Sequence, residues 1–109
     1  MGQGGEMYEV KDGTVGYHTD ENGCHHAIIL KVKNKVALAL FFTGSSGWGR
    51  SKKKKRRATK SEIALAGFVV RKDTYLVPVV REKTEFRSNG ITFPEDRVKE
   101  LLEEFFSDP

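Results

Sequence analysis

Two apolar runs separated by three polar residues constrain this chain more than any other feature: His26-Ala27-Ile28-Ile29-Leu30-Lys31-Val32, then Lys33-Asn34-Lys35, then Val36-Ala37-Leu38-Ala39-Leu40-Phe41-Phe42. The first has the β-branched content of a buried strand, and the short polar linker predicts a hairpin whose two strands form the centre of a sheet. The longest apolar run, Val36 to Phe42, is far short of the roughly 20 residues that cross a bilayer as a helix. A length of 109 residues is that of one domain, so the remaining segments must complete the same sheet.

Residues 1–7 are Gly-rich without an apolar period and are expected to fray, leaving 8–109 as a single domain. Tyr8 to Tyr17 alternates large and polar residues around Asp12-Gly13, a pattern that predicts two short strands joined by a tight turn. Ile63 to Val70 and Thr74 to Val80 flank Arg71-Lys72-Asp73 and predict a further hairpin, with Pro78 at an edge or a bend. Ile63 to Ala66 also fits one helical turn, because Ala and Leu do not favour strand. Thr92-Phe93-Pro94-Glu95 resembles a capping box and predicts a helix over 93–106. Val98, Leu101, Leu102 and Phe105 then form one apolar stripe, with Glu100, Glu103 and Glu104 facing water. The expected fold is mainly β, a small bent barrel or roll with one C-terminal helix.

Charge singles out one segment. Arg50, Lys52, Lys53, Lys54, Lys55, Arg56, Arg57 and Lys60 place eight cations in eleven residues, after the glycine-rich Gly44-Ser45-Ser46-Gly47-Trp48-Gly49. The whole chain carries +4, but without these eight the remaining 11 cations face 15 acids, a balance of −4. Such a field draws polyanions and releases counterions on phosphate contact, which favours nucleic acid, RNA before DNA, as partner. The loop expected over 44–61 also exceeds the about 12 to 15 residues usual for connections that have no function. The alternative is a solvated or address segment, or one that contacts an acidic protein. Trp48 beside these cations suits stacking on an unpaired base, or anchoring the loop on the barrel.

Catalytic candidates are fewer. No phosphate-loop, zinc or nucleophile-elbow spacing is present, and no cofactor is implied. His18, His25 and His26 supply proton-transfer groups, but neighbours on a strand point to opposite faces. Only one of His25 and His26 can face a given site, so a two-histidine pair needs His18. Arg81 to Arg87 offers cations beside carboxylates, either a phosphate-stabilising group or a self-paired turn. Cys24 is the one cysteine and cannot form an internal disulfide, which suits a reducing, cytoplasmic location without membrane association.

Three stretches resemble the MazF/PemK (Kid-like) toxin family of toxin–antitoxin systems: His25-His26-Ala27-Ile28-Ile29-Leu30, Leu40-Phe41-Phe42-Thr43-Gly44-Ser45 and Tyr75-Leu76-Val77-Pro78. The resemblance covers about 70 residues loosely. It implies an SH3-like barrel, a homodimer and a metal-independent endoribonuclease, with Thr43 matching a family site position. The family's Arg-Pro pair is His25-His26 here, so its catalytic arginine has no counterpart at that point. His25 or His26, Thr43 and Arg81 are then the catalytic candidates. A non-catalytic SH3-like module that binds or assembles through the same loop is the competing expectation.

Overall fold

The computed structural model describes residues 10–21, 23–44, 55–68 and 74–107. Six antiparallel strands make one sheet: β1 (Thr14–Asp20), β2 (Gly23–Lys33), β3 (Val36–Thr43), β4 (Arg56–Arg57), β5 (Tyr75–Glu82) and β6 (Phe86–Thr92). Their order is β4-β5-β3-β2-β1-β6. A short helix α1 (Lys60–Leu65) follows β4, and α2 (Glu95–Phe106) ends the described chain. The mainly antiparallel β fold with one C-terminal helix is therefore as the sequence leads one to expect. No helix among the described residues is long and apolar enough to cross a membrane.

The central hairpin forms where the apolar runs place it, with His26 opposite Phe42 and Lys33 opposite Val36. Strand alternation divides its side chains between two cores. Ile28, Leu30, Leu40 and Phe42 face α1 and α2, where they meet Ile63, Phe93, Val98, Leu101 and Phe105. Ala27, Ile29, Ala37, Ala39 and Phe41 face the other way and pack with Val10, Val79 and Phe86. Both faces of β2 and β3 are thus buried, which explains why their sequences run apolar instead of alternating.

Several local expectations change. Asp12-Gly13 does turn, and the Asp12 carboxylate accepts from Val32 N (2.8 Å). The described residues just before it, Val10 and Lys11, are not strand, while Tyr8 and Glu9 lie outside the described residues. Residues 60–65 are helix α1, in line with the helical alternative at Ile63–Ala66, and the hairpin expected between Ile63–Val70 and Thr74–Val80 is not formed by that segment. The partner of β5 is instead β3 on one side and β4 on the other. The physical reason is a capping box at Thr59: its hydroxyl accepts from Glu62 N (3.0 Å) and Glu62 Oε1 accepts from Thr59 N (2.9 Å). Thr59→Ala is expected to lower stability by about 1 kcal/mol, read from a denaturant titration.

The cap proposed at Thr92 does not form. Helix α2 begins at Glu95 with Pro94 as N-cap and no side-chain cap bond, because Thr92 is still paired with Thr14 in β6. Strand β6 itself is not foreseen from sequence. At Ser88-Asn89-Gly90 it bulges: the register moves from Val15↔Ile91 to Gly16↔Ser88. Ser88 Oγ accepts from Gly90 N (3.0 Å) and Asn89 Oδ1 from Ile91 N (3.1 Å), so the bulge supplies its own partners. A 3₁₀ turn, Lys83–Glu85, links β5 to β6.

Candidate nucleic-acid interface

One row of residues crosses the sheet on the face away from the helices. His18 of β1 lies between Phe86 of β6 and His25 of β2, and Thr43 of β3 pairs with Tyr75 of β5, which pairs with Arg57 of β4. The β2–β3 register sets His26 opposite Phe42, so one step further along it His25 lies beside Thr43. The row thus runs from two imidazoles through a hydroxyl and a phenol to a guanidinium. Period-2 alternation sends His26 to the opposite face, where its ring meets Phe68 (centroids 4.5 Å apart).

Phe41 is the floor of the histidine end. It is fully buried, His25 stacks on it at 4.8 Å and 8°, and His18 tilts against it at 5.2 Å. The Arg81 guanidinium lies over the same ring, 5.5 Å from its centroid. His18 is 1% exposed, and its Nε2 is 2.7 Å from Glu85 Oε1 on the 3₁₀ turn. It is therefore a positioned interior group, while the half-buried His25 is the imidazole of the pair that solvent reaches.

The basic segment's last residues join this face in an ordered way. The stretch expected as loop through residue 61 becomes strand at Arg56–Arg57, cap at Thr59 and helix from Lys60. Alternation again sorts the cations. Lys55 and Arg57 lie over the Tyr75 ring, each 5.9 Å from its centroid. Arg56 points to the helix side, over Phe105, and is held by two carboxylates: Nη2 to Glu62 (2.7 Å) and Nε to Glu104 (2.6 Å). Hydrogen bonds to Glu62 first and Glu104 second hold this guanidinium above its ordinary value. Burial pushes the Glu62 carboxyl up, but the bonds from Arg56 and Thr59 outweigh it and leave the carboxyl below the ordinary carboxylate value.

Among the expected site residues, the structure brings His25, Thr43 and Arg81 to one face and adds Lys55 and Arg57 at its far edge. It separates His26 from them. Arg56 is engaged by the buried Glu62 and the exposed Glu104, and Lys60 is exposed in the first turn of α1. Trp48, Arg50, Lys52, Lys53 and Lys54 lie outside the described residues. Strand register places Tyr75 in the row, a position that its sequence neighbours do not mark, and Glu85, within the charged Arg81–Arg87 stretch, is the carboxylate that meets His18. Among the described residues no group of three or more His, Cys, Asp or Glu side chains is arranged to hold a metal ion. Cys24 is a free, exposed thiol. Comparison of the chain with protein-family models, with curated proteins and with solved structures finds no match in any of the three.

Proposed function

We propose that this chain binds RNA across the row from Arg57 to His25 and cleaves it there, as the resemblance to the MazF/PemK toxins implies. One observation supports this reading above the others: the ordered end of the basic segment lies on the same sheet face as His25, Thr43 and Arg81. Cations at the sheet edge can hold phosphates while an accessible imidazole meets the ribose. In the reaction, His25 takes the 2′-hydroxyl proton and the 2′-oxygen attacks phosphorus. The bond to the 5′-oxygen breaks, a cyclic phosphate remains, and the leaving oxygen gains a proton from solvent. Arg81 stabilises the charge that develops on the phosphate, and Thr43 offers a hydroxyl to orient it. Glu85, through His18, fixes the floor on which His25 rests.

The test is incubation of the pure protein with mixed RNA in chelator. His25→Ala is expected to lower cleavage by about 10²-fold or more, and His26→Ala, on the other face, to leave it near wild type. Intact RNA with retained binding would instead favour a non-catalytic module. Lys55→Gln with Arg57→Gln is expected to weaken binding and to reduce the salt slope by about 1.4, since each phosphate contact on a single strand contributes about 0.7. An unchanged slope would move the contact surface elsewhere.

A further inference from the structure

The RNA reading assigns phosphates to the cations but leaves Tyr75 without a part. Strands β4 and β5 put Arg57 directly opposite Tyr75, and Lys55, just before β4, lies over the same ring. Both charges approach one half-buried ring to 5.9 Å. Lys55 and Arg57 are exposed, while the ring they approach is half buried, so cations and an aromatic face are presented together to solvent. A ligand that carries an aromatic plane and an anion matches this arrangement: the plane takes the ring and the anion takes the charges.

We propose that Tyr75, with Lys55 and Arg57, is a subsite for one unpaired nucleobase and its flanking phosphates. The proposal rests on the RNA-binding reading and sharpens it. A base inserted between the phenol and the Arg57 guanidinium needs about 7 Å between those two groups, twice a van der Waals contact. The guanidinium, now 5.9 Å from the ring centroid, has to swing out by about 1 Å, well within the reach of a long surface side chain. Lys55 then remains for the adjacent phosphate. Thr43 is the next residue along the row, so the nucleotide beyond the stacked one is led toward His25. Because a paired base keeps its faces inside the duplex stack, the site takes a single strand.

The experiment is fluorescence anisotropy across ionic strength, with a labelled single strand of roughly ten nucleotides, 2′-O-methylated so that it stays intact. Matched probes carry abasic residues, are deoxy, or are duplex, and a nucleoside monophosphate serves as competitor. Tyr75→Leu is expected to lose about tenfold or more in affinity for the intact strand, with no change in salt slope and little loss on the abasic strand. Tyr75→Trp is expected to restore binding, which a merely folding-related defect in Tyr75→Leu would not predict, and thermal melts of both variants check the fold directly. Competition by the monophosphate at low concentration would assign the subsite to free nucleotides as well as strands. If Tyr75→Leu binds as wild type does while the Lys55/Arg57 double variant lowers the slope, the ring is no base platform although the RNA reading stands. Equal affinity for duplex and single strand overturns the subsite too. Absence of binding to every probe by the wild type overturns both.

Discussion

Gly16→Ala is expected to lower stability by about 3 kcal/mol or more and the melting midpoint by about 15 °C or more, read by circular dichroism. The cause is a backbone contact. A Cβ at residue 16 would stand 1.8 Å from the Arg87 carbonyl oxygen and 2.8 Å from its carbon, so β1 and β6 must separate to admit it. No side-chain rotation relieves the clash, because the atoms met are main chain. Strand β6 leads directly into Phe93, 1% exposed in the core, and into α2, so displacement spreads beyond the edge. Gly90→Ala separates clash from conformational strain: nothing lies within 4 Å of its Cβ, and its φ of +89° alone should cost about 1 kcal/mol. Equal effects at the two positions would refute the close-approach argument.

Arg56→Ala should destabilise by a comparable amount, about 3 kcal/mol at neutral pH, for an electrostatic reason. Glu62 is 3% exposed, and removing the guanidinium leaves its carboxylate in the interior with the Thr59 cap as its remaining support. Glu104, at 38% side-chain exposure, contributes little because solvent screens it. The pH dependence has a definite sign. Glu62 titrates below its unfolded value of 4.5 in the folded chain, so the pair's contribution is complete above that pH and is lost as pH falls through the folded value. The gap between wild type and Arg56→Ala in denaturant titrations should therefore shrink in acid. Replacing both partners with apolar residues, Arg56→Met with Glu62→Leu, should recover most of the loss, since no uncompensated charge then remains inside. The RNA salt slope should be the same in Arg56→Ala as in wild type; a drop would return Arg56 to the phosphate-binding set.

The contrast between Arg56 and its neighbours shows how far sequence alone could be read. The run of cations is a property of composition, visible without a fold, and so is its pull on polyanions. Which cation meets a carboxylate and which meets the Tyr75 ring depends on strand β4, two residues long and defined by its pairing with Leu76 and Tyr75. Two residues carry no period of their own. The Thr59–Glu62 box was written in the chain as plainly as Thr92–Glu95, yet only the first caps a helix. Thr92 is taken by the ladder to Thr14, a partner 78 positions away. For the histidines the local rule sufficed to split His25 from His26, but their separate surroundings, Phe41 and Phe68, are tertiary.

The sequence by itself determined the elements whose signal is local and repeated: the 26–42 hairpin, through two apolar runs and a short polar linker, and the amphipathic C-terminal helix, through its 3.6-residue stripe. Only the tertiary structure decided the polar strand β6 and the row that joins His18, His25, Thr43, Tyr75 and Arg57. Those features rest on contacts between residues distant along the chain, among them a glycine at position 16 whose role appears only when Arg87 is brought against it. Side-chain pattern encodes which face is apolar, whereas pairing of strands is settled by the free energy of closing the whole sheet.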